Sequence, residues 1–218
     1  MERTVTQEIL DSGDASPDVV EASLRDLATV NRWFGGVRTS RILFERVARE
    51  RSLPKLDILD VASGDGFVPK QVAAKLRRQG VNVRLTLLDR FARHLPPDVP
   101  GLVGDALDLP FEDNTVDLVS SCLFLHHLEA EEVRRFAREA LRVARHAVVI
   151  NDIVRSRLNY LGAAGFLPLL HPISQHDGLA SIRRAYTPGE IRNMLEGMAT
   201  RVEVTTHYFF RVGVILWK

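Results

Sequence analysis

Residues Leu56 to Lys70 read LDILDVASGDGFVPK. An apolar run stops at an acid, Asp60, and two glycines follow within six residues, Gly64 and Gly66, with Asp65 between them. LDILDV has the length and apolar content of a buried strand, and FVPKQVAAKLRRQG continues as a helix that Gly80 ends. Between them lies a bend almost free of side chains, where the main chain can press against a ligand at the start of a helix.

Working outward, the pattern alternates. VNVRLTLLD, GLVGD, TVDLVSSC and HAVVIND read as further strands, and EAEEVRRFAREALRVA as a helix with acids in its first turn and arginines later. This alternation predicts an α/β fold with a doubly wound, Rossmann-like, mostly parallel sheet. The last third departs from it. An apolar helical piece (156–170) leads into HPISQHDGLASIRRAY, which has no clear period. TPGE then sets Thr187 as N-cap, Pro188 at the first helical position and Glu190 in a capping box. RVEVTTHYFFRVGVILWK reads as two strands, a hairpin at the sheet edge. At the other end, Ser16 caps a helix with Val20, Leu24 and Leu27 on one face, NRWFGG breaks it, and a second helix covers about 39–51. The expected organisation is a mobile tail (1–15), an N-terminal helical cap (16–54) and a core (55–218).

Composition bounds the partners. In 218 residues, 45% are hydrophobic and 26% charged, and the formal net charge is +1, which fits one globular domain with no global field for nucleic acid or an anionic membrane. No basic stripe with interleaved aromatics is present. The single cysteine, Cys122, rules out an intrachain disulfide and fits a reducing compartment. MERTVTQEIL lacks the apolar core of a secretory signal, and YLGAAGFLPLLHP is too short for a bilayer, which takes about 20 apolar residues. These features predict a cytoplasmic protein with no nucleic-acid partner and no membrane span; they leave its oligomeric state open.

Two ligands compete for the bend. A dinucleotide fingerprint wants G-x-G-x-x-G, but counting from Gly64 puts Pro69 where the third glycine belongs. Counting from the acid gives Asp60, Ala62, Gly64 and Gly66, or D-x-A-x-G-x-G. Here the chain resembles the class I S-adenosylmethionine-dependent methyltransferases. A carboxylate at this point is a poor neighbour for a pyrophosphate and suits a cofactor with a cationic head. Ala62 replaces the usual first glycine, a change that ordinary backbone angles would allow.

The resemblance implies a seven-stranded sheet whose last strand is antiparallel, and S-adenosyl-L-methionine as cofactor. It implies that Asp60, Ala62, Ser63, Gly64 and Gly66 embrace the methionine end, with Asp60 reaching the ammonium group. Asp89, followed by Arg90, would take the ribose hydroxyls. In GDALDLPFEDNTVDLV, Asp105 would accept from the adenine amino group, the Ala106 amide would donate to the ring, and Leu107 or Leu109 would pack on the base. The backbone of Ser121 and Cys122 would line the methionine end.

Methyl transfer from a sulfonium needs alignment, and a base only where the nucleophile is a weak acid. The candidate bases are His127 and His176, with His126, His171 and Trp33 as candidate substrate contacts. A structural role for the HHL stretch competes with catalysis, and Trp33 and Phe34 serve equally well as pocket roof or as anchors of the cap. No His, Cys and acid cluster has metal-ligand spacing, so no metal is expected. HDGLASIRRAYTPGEIRNML also resembles bacterial methyltransferases of polyketide-type pathways, near enzymes of phenolic-lipid synthesis. The reading is a methyltransferase for a small apolar or aromatic acceptor (a phenol, quinol or polyketide), with O-methylation ahead of C-methylation of a quinol ring. A cofactor-binding accessory protein without chemistry and a nicotinamide-dependent reductase are the rivals.

Overall fold

The computed structural model describes residues 1–6, 8, 9 and 16–218. Its strands are β1 (Lys55–Val61), β2 (Asn82–Asp89), β3 (Gly101–Val103), β4 (Val116–Cys122), β5 (Ala144–Ile153), β6 (Arg201–His207) and β7 (Arg211–Trp217). They form one sheet in the order β3-β2-β1-β4-β5-β7-β6. The pairs from β3 to β5 are parallel, and β7 runs antiparallel to both β5 and β6. The strand order reverses between β1 and β4, so the loops that follow these two strands diverge and leave a crevice at the carboxyl end of the sheet.

Among the described residues, seven α-helices accompany the strands: α1 (Pro17–Trp33), α2 (Gly36–Glu50), α3 (Phe67–Arg78), α4 (Ala130–Val143), α5 (Arg157–Phe166), α6 (Pro172–Arg184) and α7 (Pro188–Leu195). Central strands bury both faces, which is why they read as nearly continuous apolar runs. Leu56 and Ile58 of β1 pack with Leu43, Phe44 and Val47 of α2 and with Val72 and Leu76 of α3. Leu59 and Val61 point the other way, among Val133, Phe136 and Ala140 of α4 and Ile191 and Leu195 of α7. The second helix of the expected cap is thus a full member of one helical layer.

Two expectations change. The stretch without a clear period is α6, which starts at Pro172 with His171 as its cap. It hides from a periodicity reading because only Asp177, Ala180 and Ile182 are buried, and one of these is an acid. The described part of the expected mobile tail lies on the fold: Thr4 N donates to Arg183 O at 3.1 Å, and Arg155 Nε donates to Met1 O at 3.0 Å. Arg3 reaches the carbonyls of Arg184 and Leu128 and the carboxylate of Glu129. Residues 7 and 10–15 of that tail lie outside the described residues.

Candidate active site

A cavity of about 900 Å³ opens at the carboxyl end of the sheet, walled by the loops after β1, β2, β4 and β5, by α1, α5 and α6, and by Glu8. Its volume suits a cofactor and a small acceptor together. The bend after β1 forms one wall. Gly64 and Gly66 have φ of +55° and +67°, and a Cβ on Gly66 would come within 2.5 Å of Leu87 Cδ1. Ala62 has φ of +54°, so its backbone is not ordinary: the alanine sits in the left-handed region that its missing glycine would occupy freely.

Asp60 is 3% exposed and lines the cavity, and its Oδ1 accepts from Ser120 Oγ at 2.5 Å. Burial pushes its carboxyl up to about 7, with the Ser120 hydroxyl opposing the rise and the Asp89 carboxylate adding to it. Asp89 closes the bend from β2. One oxygen accepts from Gly64 N at 2.8 Å, and the other accepts from Phe91 N and contacts His94 Nδ1, each at 3.0 Å. Burial works against its ionised form, yet these hydrogen bonds hold its pKa below the ordinary value. Two carboxylates at one narrow turn make a field that favours a cation over a diphosphate.

Ser63, Arg90, Asp105, Ala106, Leu107 and Cys122 also line the cavity. Asp105 Oδ1 accepts from Leu107 N at 2.9 Å, which shapes the turn, and Leu109 is buried in the core beneath it. Ser121 is buried outside the cavity lining, whereas Ser120, which no motif singled out, holds Asp60. Burial pushes the Cys122 thiol up to about 12, so it stays protonated and unreactive near neutral pH.

The opposite wall is built around His126. Its Nδ1 contacts Asp152 Oδ1 at 2.7 Å, its backbone N donates to Asp152 Oδ2 at 3.1 Å, and its Nε2 lies 3.6 Å from Glu8 Oε1. Burial alone would lower the pKa of this imidazole; Asp152 and then Glu8 outweigh it and hold it up at about 10. Glu8 is 6% exposed and accepts from Ser181 Oγ at 2.7 Å, and its Oε2 lies 3.8 Å from His127 Nε2. Glu8, Asp152 and Ser181 were not foreseen. Asp152 follows an apolar strand in the same way as Asp60, a signal that was available; Glu8 carries none.

Three expected contacts fall elsewhere. His176 is half exposed, pairs with Asp177 at 2.9 Å, and does not line the cavity. His171 caps α6, accepting from Ile173 N at 3.4 Å, and is likewise outside. Both histidines are fixed by α6, the helix that the sequence did not reveal. Trp33 is 69% exposed because it lies at the end of α1 facing away; its neighbour Phe34 lines the cavity instead. Phe34 sits 4.6 Å from Phe166 and 5.6 Å from Phe209, ring centre to ring centre, an aromatic corner at one side of the cavity.

The strand order is that of the Rossmann-like fold found in class I S-adenosylmethionine-dependent methyltransferases. Residues 59–150 match the family model described as a methyltransferase domain. Ajmaline N-methyltransferase of Rauvolfia serpentina is 36% identical over 101 residues, 43% of this chain and 34% of that protein. The ubiquinone/menaquinone biosynthesis C-methyltransferase UbiE of Rickettsia felis is 31% identical over 107 residues, 43% of this chain and 42% of that protein. The matches thus span well under half the length of these curated relatives.

Among solved structures, a SAM-dependent methyltransferase from Aquifex aeolicus superposes with a TM-score of 0.59 at 18% identity, covering 94% of this chain and 99% of that one. The plantazolicin methyltransferase BpumL, solved with a triazolic desmethylPZN analog and SAH, superposes with a TM-score of 0.73 at 14% identity, covering 96% and 94%. S-adenosylmethionine is the cofactor of this class. The site fits it: a buried carboxylate and a glycine bend stand ready for a cationic head, and among the described residues no glycine replaces Pro69 to complete a dinucleotide turn.

Proposed function

We propose that the protein transfers a methyl group from S-adenosylmethionine to a small apolar or aromatic acceptor such as a phenol, quinol or polyketide, with oxygen as the favoured acceptor atom. The observation that carries this reading is one cavity with two unlike ends: buried Asp60 beside the glycine bend, and the Glu8, His126 and His127 cluster beside an aromatic corner. At the first end, Asp60 takes the cofactor ammonium, Asp89 the ribose, and Asp105 and the Ala106 amide the adenine, while the backbones of Gly64 and Cys122 flank the methionine. At the second, the acceptor's ring lies on Phe34 and Phe166, and its oxygen reaches the histidine cluster and loses its proton there. His127, the less buried of the two histidines, is the one that touches it. Methyl transfer then forms the oxygen–carbon bond as the sulfur–carbon bond breaks, leaving a neutral thioether.

C-methylation of a quinol ring is the second reading, favoured by the likeness to a relative named as a quinone-biosynthesis C-methyltransferase. A cytoplasmic location and a place in secondary metabolism accompany the proposal; among the described residues no helix is long and apolar enough to cross a membrane. The test is incubation with methyl-labelled cofactor and a panel of phenols and quinols. Label in a methyl ether supports the first reading and label on ring carbon the second. Tight SAH binding with no label transferred to any acceptor points to the accessory role instead.

A further inference from the structure

The cluster at the acceptor end has the form of a cation site. Glu8, His126 and His127 each offer a ligand atom within 4.8 Å of the others; His126 Nε2 lies 3.6 Å from Glu8 Oε1, and His127 Nε2 lies 3.8 Å from Glu8 Oε2. Tetrahedral zinc with bonds of about 2.0–2.1 Å places its ligand atoms roughly 3.3 Å apart, so these side chains reach bonding positions by closing within rotamer adjustments of at most about 1.5 Å. The supports for such ligands are already in place. Asp152 takes Nδ1 of His126 at 2.7 Å and is itself fixed by the amides of His126 and Ile153, the carboxylate–histidine arrangement that aims the other ring nitrogen at a metal. Ser181 Oγ, at 2.7 Å, orients Glu8. Two carboxylates, Glu8 and Asp152, enter this interior, which favours positive charge between them. Arg184 contributes one guanidinium nearby, bound to the carbonyl of His127 at 2.6 Å.

We propose that Glu8, His126 and His127 bind one divalent transition ion of the zinc type, with its remaining position open to the cavity. Two imidazoles and one carboxylate with an open position make the donor set of a catalytic rather than a structural zinc. The binding itself does not depend on the methyltransferase reading; its use does. With the ion bound, His127 would serve as its ligand and no longer as base: an acceptor hydroxyl on the ion would lose its proton to water near neutral pH, as metal-bound water does, and the resulting oxyanion would attack the methyl carbon while the sulfur keeps the electron pair of the broken bond.

The untagged chain, stripped with chelator and free of cofactor, is titrated with Co²⁺ by visible absorption and with Zn²⁺ by equilibrium dialysis. One ion per chain at micromolar affinity or better, with the intense visible bands of tetrahedral Co²⁺, is the expected result. Glu8→Gln and His127→Ala each lower the affinity at least 100-fold, and Asp152→Asn lowers it 10–100-fold through His126. His171→Ala and His176→Ala leave it unchanged. Circular dichroism and SAH calorimetry on each variant separate loss of the ion from loss of the fold. Substoichiometric binding, or equal affinity in wild type, Glu8→Gln and His127→Ala, overturns the site; failure of SAH to bind while Zn²⁺ binds leaves the site standing and overturns the donor reading.

Discussion

The two ends of the cavity are made in different ways. The cofactor end is a matter of backbone: a strand, a bend with three left-handed residues, and the tip of a neighbouring strand whose Asp89 ties Gly64 down at 2.8 Å. The acceptor end is a matter of side chains from distant chain segments, Glu8 from the first residues, the two histidines after β4, Asp152 from β5 and Ser181 from α6. The difference implies that damage at one end should spare the function of the other.

Perturbations rank by size. The largest falls on the acceptor end: His127→Ala should cut methyl transfer by roughly 10²–10⁴-fold while calorimetric SAH affinity stays within about twofold. A parallel loss of SAH affinity would break the division. At the cofactor end, Gly66→Ala adds a methyl group at φ of +67° against Leu87 and should lower stability by about 3 kcal/mol in denaturant melts, the strained angle and the overpacking together. An unchanged midpoint would mean that the bend is loose. Asp89→Ala removes the acceptor for two backbone amides and for His94, so it should lower both SAH affinity, by roughly 10–100-fold, and stability, by about 2 kcal/mol.

A smaller effect is protonic. The folded Asp60 carboxyl titrates near 7, above the ordinary 3.8, so at pH 6 the free protein holds a proton there that the unfolded chain has released. Its contribution to stability is full below about pH 4 and is lost as pH rises through 7. A cationic cofactor favours the ionised form, so SAH binding at pH 6 should expel most of one proton and binding at pH 8.5 almost none, read by calorimetry in buffers of different ionisation heat. Equal proton release at both values would detach Asp60 from the ligand. The smallest change is a gain: Ala62→Gly relieves the φ of +54° and should add about 1 kcal/mol, net of glycine's entropy. A loss would show that the methyl group packs usefully.

The same contrast explains what was legible. DVASGDG announces its own geometry, because two acids and two glycines within seven residues suffice to shape a turn, and the partner Asp89 marks the end of its strand. Even there Ala62 misled, since a residue type does not report its own φ. The acceptor end had no such local signature. Glu8 and Ser181 meet across 173 residues of chain, and nothing in TVTQEIL distinguishes that glutamate from one in solvent. α6 stayed hidden because a helix that buries an acid does not show an apolar stripe, and its concealment carried His171 and His176 into the wrong place. Cluster spacing along the chain argued against a metal; spacing in the fold argues for one.

The central claim is that a buried carboxylate beside a glycine bend selects a positively charged donor. It is tested most directly by calorimetry of SAH, NADH and NADPH on the wild type and on Asp60→Asn. The account predicts one SAH per wild-type chain, no measurable nicotinamide binding, and a loss of SAH affinity of roughly 10–100-fold in the variant. Tight binding of a reduced nicotinamide, or SAH affinity indifferent to the loss of the charge, would contradict it.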